Sequence, residues 1–175
     1  MPEPRWTTPS PDADAIADAY EQLTAAARAG ERRFERSFQT HLHAVEDGWI
    51  SVTELDDDFH SMRIALRVDT EGTVTEAAGR MLKHPFDTCP RAMSALAGLI
   101  GASVWRRNQE QLKQRIPRDE GCLHVADMLA IAFRSFRISL GHEMPDWEGQ
   151  DGRRAIIELL PNVRDTCVSF AVRSD

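Results

Sequence analysis

From Met62 to Val68 the apolar residues fall on alternate positions, Met62, Ile64, Leu66 and Val68, while Ser61, Arg63 and Arg67 take odd positions between them. Successive side chains of a strand point to opposite faces, so this pattern describes a strand with one covered face and one wet face. Carried back two residues, the same alternation puts His60 on the core side. An imidazole entering an apolar interior needs a hydrogen-bond partner or a chemical task.

The period of two runs from Arg33 to Met81. Phe38, Thr40, Leu42 and Ala44 share one face of a first strand, which leaves His41 and His43 on the solvent side. The turn signal Glu46-Asp47-Gly48 leads into Trp49-Ile50-Ser51-Val52-Thr53, a hairpin partner. An acidic loop, Asp56-Asp57-Asp58, precedes the His60 strand, and Asp69-Thr70-Glu71-Gly72 turns that strand into a fourth around Thr73 to Gly79. The simplest arrangement is a four-stranded antiparallel meander with one face wet. Arg63 and Arg67 then pair across strands with Glu54 or Glu76.

Helical periodicity flanks this block. Ile16, Ala19, Tyr20, Leu23 and Ala27 recur at three- and four-residue spacing after Asp12 or Asp14 as a cap, and Gly30 supplies the stop. This narrow stripe suits either a cover for the main domain or a second copy of itself. After Pro85, Asp87 or Thr88 caps a helix with Pro90 in its first turn and Met93, Leu96, Ala97, Ile100 and Val104 along one side. A polar helical stretch at 106–115 ends before Pro117. Asp119 and Glu120 open the most apolar helix, which carries Val125, Met128, Leu129, Ala132, Phe133 and Phe136 and closes at Gly141. A loop from Gly141 to Gly152, the segment Arg154–Leu160 and the β-prone Thr166–Val172, a possible fifth strand, complete the chain.

The expected fold is therefore α+β, an antiparallel sheet of four or five strands with helices packed on one face and an N-terminal helix outside. Residues 1–11, with four prolines, read as a flexible lead-in to a single domain over 12–175. A net charge of −7 argues against nucleic-acid binding, which needs clustered Lys and Arg facing phosphates. No apolar run approaches the roughly 20 residues of a membrane span, and the N-terminus lacks a signal pattern, so a cytoplasmic location is expected. Three cysteines without an export signal point to reduced thiols.

Sulfur and imidazole gather at element ends: Phe59-His60-Ser61, Asp87-Thr88-Cys89-Pro90 and Gly121-Cys122-Leu123-His124. Cys89 at a helix start has the unpaired N–H groups that favour a thiolate, and the plainer reading makes it a buried plug. Cys122 and His124, with His60 and Cys89, could form a zinc tetrahedron, but two residues two apart within a helix face about 200° from each other. Only a Cys122 placed before the helix removes that objection. The favoured arrangement has His60 and His124 lining one pocket as proton-handling groups. One of Asp56, Asp57 and Asp58 could orient the imidazole, but the favoured reading of that run is an acidic surface loop. Met62, Met128 and Arg63 would meet the substrate. The plain alternative is that each histidine is a satisfied core or surface residue. There is no nucleophile elbow, phosphate loop or dinucleotide fingerprint.

The order of these motifs resembles a known family. His60-x-Met62, a strand, Pro85-x-x-x-Cys89-Pro90 entering a helix with Leu99 and Gly101, and Gly121-Cys122-x-His124 opening another are similar to a bacterial family catalogued as domain of unknown function 2889. The likeness covers about residues 55–140; members usually carry Leu where this chain has Val125. The resemblance implies that His60, Cys89, Cys122 and His124 form one recurring pattern as catalytic residues. It supplies no established reaction; the occurrence of relatives among bacteria that degrade lignin-derived aromatics suggests a carbon–carbon lyase acting on an aromatic alcohol. The resulting expectation is a small-molecule enzyme without cofactor, using acid-base catalysis on an apolar or aromatic substrate, and forming a possible homo-oligomer. The alternatives are a non-catalytic ligand-binding or assembly domain, and a zinc-dependent enzyme.

Overall fold

A computed structural model describes residues 13–105, 112, 114–116, 121–143 and 149–159. The expected lead-in at 1–11, most of the polar stretch at 106–115, the Asp119-Glu120 helix start and the fifth strand at 166–172 lie outside these residues. The chain divides into two compact units, one spanning 36–147 and the other carrying the first and last helices.

In the smaller unit, α1 (Ala13–Ala29) has Asp14 inside its first turn and ends as Gly30 donates to the Ala27 carbonyl at 3.2 Å. Ile16, Tyr20 and Leu23 on its apolar stripe are exposed. The last helix, α3 (Gly149–Leu159), starts inside the segment expected to be a loop.

The larger unit is built on a four-stranded antiparallel sheet in sequence order, β1 (Arg36–Val45), β2 (Gly48–Asp57), β3 (Ser61–Asp69) and β4 (Val74–Lys83). Register follows the alternation: Phe38 faces Leu55, Leu55 faces Met62 and Met62 faces Met81, all on the covered side. Met62, Ile64, Leu66 and Val68 are fully buried or nearly so. On this face the Thr40 and Thr53 hydroxyls bond to each other at 3.0 Å, which satisfies two polar groups in the apolar layer. On the wet face Arg63 bridges Glu54 and Asp56, and Arg67 bridges Asp47 and Glu76.

Two helical elements cover the sheet. A 3-10 helix (Cys89–Leu99) packs against β4, and α2 (Leu123–Glu143) packs against β1 and β2. The α-helix expected from Pro90 to Val104 is thus a tighter coil that stops at Leu99. With three residues per turn, Met93, Leu96 and Leu99 stack in one row toward the core, whereas Ala97 and Ile100 are turned outward. Beyond it, residues 101–104 run beside the start of β4: Val74 donates to Ala102 and Val104 to Gly72, at 2.8 and 2.9 Å. The α2 helix buries Val125, Met128, Leu129, Ala132, Phe133 and Phe136 as expected. It continues past Gly141 to Glu143 and begins at Leu123, which leaves Cys122 ahead of it.

Candidate functional site

Three residues separate β2 from β3, and the Asp57 side chain shapes the turn they make. Its Oδ1 accepts the backbone N–H groups of Phe59 and His60, each at 2.7 Å, while the Asp57 N–H donates to the His60 carbonyl at 2.8 Å. A short carboxylate bonding to the backbone two and three residues on is a standard turn-forming device. The turn holds His60 immediately before β3, with its Nδ1 3.0 Å from the same Oδ1. Burial raises the Asp57 pKa, but the Phe59 N–H, the Arg36 guanidinium and the His60 donors outweigh it and hold the acid well below the usual carboxylate range. An ionised carboxylate only accepts, so His60 donates from Nδ1, which in the neutral ring puts the lone pair on Nε2.

Arg36 opens β1, where the register sets it directly opposite Asp57. Its Nε and Nη2 donate to Asp57 Oδ2 at 2.8 and 2.6 Å, and the carboxylate they reach is 0% exposed. The same Nη2 lies 3.1 Å from Nε2 of His124. A guanidinium has no acceptor, so His124 Nε2 accepts and the ring proton rests on Nδ1. That nitrogen lies 3.6 Å from Cys122 Sγ. The two meet because Cys122 sits at the cap, where its carbonyl accepts the Ala126 N–H at 3.0 Å, and is not part of the helical spiral. Burial, then the proximity of His60 and Arg36, lowers the His124 pKa, so this ring is neutral at pH 7. The His60 and His124 rings stand 4.1 Å apart at a 44° tilt.

The sheet end and the start of α2 therefore bring together His60, His124 and Cys122 of the expected residues. Cys89 is the first residue of the 3-10 helix, half-buried, and none of these bonds reaches it. Met62 and Met128 are fully buried in the core, and Arg63 is engaged by Glu54 and Asp56. His41 and His43 lie on the exposed face of β1 with ring centres 6.4 Å apart, and the His84 ring lies 2.9 Å from the Phe86 carbonyl. The His142 side chain falls outside the described residues.

Sequence reasoning missed Arg36 and could not choose among the three aspartates. It also passed over Phe59 and Leu123, large apolar residues directly preceding the two histidines and 58% and 73% exposed. Among the described residues, Asp57, His60 and His124 are the group whose ligand atoms could hold a metal ion, all lying within 4.8 Å of one another. That donor set shares two histidines with the expected zinc site and substitutes a carboxylate for its cysteines. The Arg36 guanidinium stands between two of the three donors, in the place of a cation.

No curated protein and no solved structure matches the chain. A family model described as protein of unknown function (DUF2889) does match, over residues 40–135, a span that holds Asp57, His60, Cys89, Cys122 and His124 but begins just after Arg36. This span is more than half of the chain and overlaps most of the stretch that carries the motif resemblance. On it the chain belongs to the DUF2889 family.

Proposed function

We propose that this protein is a small-molecule enzyme, a cofactor-independent lyase that uses acid-base catalysis on an apolar or aromatic alcohol. The observation that carries the reading is the pair of imidazoles 4.1 Å apart, one tethered to a buried carboxylate and the other to a guanidinium. Environments that assign opposite partners to neighbouring titratable groups assign them different proton roles. His60 is the proton acceptor: Asp57 fixes its Nδ1–H and supports the imidazolium that forms when Nε2 takes a proton. His124 stays neutral beside it, so the pair carries a single positive charge in the loaded state. In a lyase step the substrate hydroxyl gives its proton to His60, the carbonyl forms as the adjacent carbon–carbon bond breaks, and the departing carbon takes the proton back. The exposed Phe59 and Leu123 beside the histidines favour an apolar substrate.

The rival is a binding module in which the same residues only complete the turn and the sheet end, a reading favoured by the two backbone bonds to Asp57. His60→Gln separates the two. Loss of a positioned acid-base group removes about 10² to 10⁴ of the rate while the fold stays nearly intact. The measurement is turnover of aromatic alcohols beside the thermal midpoint. Full turnover in the variant would end the catalytic assignment, and absence of turnover by wild type across such alcohols would favour the binding module.

A further inference from the structure

We infer that Asp57, His60 and His124 form a site for a zinc-class divalent cation that competes with Arg36, and that zinc therefore inhibits the protein. Two imidazoles and one carboxylate make a nitrogen and oxygen donor set suited to zinc rather than to magnesium or calcium. The three donors already converge within 4.8 Å, so rotamer adjustments bring them onto one ion. The positive charge at this place is supplied by Arg36, whose Nη2 lies 2.6 Å from Asp57 Oδ2 and 3.1 Å from His124 Nε2. These are the atoms that a bound cation would take over.

Several features make the exchange feasible. Among the described residues Arg36 opens the outermost strand of the sheet, and its side chain is 28% exposed, so the guanidinium can withdraw toward water. His124 presents Nε2 as a lone pair, with its proton on the Nδ1 that faces Cys122 at 3.6 Å, and this outer contact holds the ligating tautomer. His60 becomes a ligand through Nδ1 once its proton moves to Nε2. In that form it can no longer accept a proton from substrate through Nε2. The inhibition rests on the acid-base reading above, but the metal site does not.

The test is titration of the folded protein with zinc chloride, followed by competition with a chromophoric chelator. It is done in a His41→Asn background, because the exposed His41 and His43 on β1 are a separate weak pair of donors. One zinc per chain is expected. Arg36→Gln should bind it at least about tenfold more tightly, because a like charge has been removed from the site, and His124→Gln should bind it at least about tenfold more weakly. Equal affinity with and without Arg36, or undiminished binding in His124→Gln, would overturn the site. Should Arg36→Gln fail to fold, a zinc-dependent rise in thermal midpoint takes its place: its presence with His124 and loss in His124→Gln supports the site, and no rise overturns it. Zinc that binds as expected while turnover continues unchanged would count against His60 as the base and leave the metal site standing.

Discussion

The Asp57 carboxylate accepts two backbone N–H groups through Oδ1 and a guanidinium through Oδ2, and one substitution can separate the two duties. In Asp57→Asn the side-chain carbonyl still serves the turn, but the amide turns an N–H toward the Arg36 donors and leaves a cation beside a neutral group. The expected cost is about 3 kcal/mol, the scale of breaking a buried charge-assisted pair, read from chemical denaturation. A cost below about 0.5 kcal/mol, the size of an ordinary surface change, would show that Arg36 is satisfied elsewhere. At this scale the sequence was partly legible. Alternation pointed to His60 at the sheet end, while the neighbouring acids read first as a surface loop and only second as a source of an orienting carboxylate. Nothing local distinguished Asp57 from Asp56 and Asp58, because the choice is made by the β1–β2 register that sets Arg36 opposite it, 21 residues away. Arg36 itself carried no local signal, because only the strand register gives it a partner. Cys89 shares the motif pattern, but the bonds of the cluster join Cys122 to His124 and leave Cys89 out.

The strands were legible because period two and turn chemistry agree along most of their length. Gly48 shows how tight that agreement is. Its φ is 141°, and a Cβ placed there would stand 2.1 Å from the Val68 carbonyl oxygen on β3. Gly48→Ala is expected to destabilise the protein by about 1–3 kcal/mol, the range for a strained backbone position, measured as a shift in denaturation midpoint with unchanged slope. A neutral result would mean that β2 starts with slack. The 3-10 helix was less legible. Its apolar residues fit periods of both 3 and 3.6, and contacts distant in sequence decide between them. Gly79 on β4 lets the coil approach so closely that a Cβ there would lie 2.8 Å from both Met93 and Leu96. At the far end, Arg115 donates to the carbonyls of Gly98, Ile100 and Gly101, which ties off the coil where the helical pattern would have run on. Helix α2 begins at Leu123, and this start is what lets Cys122, just ahead of it, meet His124.

For the whole molecule, the two shifted groups of the site set a direction for stability against pH. The net charge of −7 at pH 7 shrinks on mild acidification, and the lower self-repulsion favours the fold. Asp57 and His124 act the other way. The folded pKa of His124 lies below its usual 6.5, so the unfolded chain takes up this proton first. Its contribution is fully present above pH 6.5 and is lost as pH falls from there through the folded value. Asp57, held below its usual 3.8, contributes fully above that pH and loses its contribution as pH falls through its own folded value. The thermal midpoint of wild type is therefore expected to decline in two stages on acidification, one starting near pH 6.5 and one near pH 3.8. His124→Gln should flatten the first stage and keep the second, while Asp57→Asn should shrink the second and leave the share of Asp56, which Ser61 and Arg63 also hold below its usual 3.8. A slope below pH 6.5 that survives unchanged in His124→Gln would assign the first stage to another group and withdraw the claim that His124 is held neutral. Its loss would establish that the fold itself selects the proton-accepting form of His124, the state that the Arg36 contact and the zinc site both require.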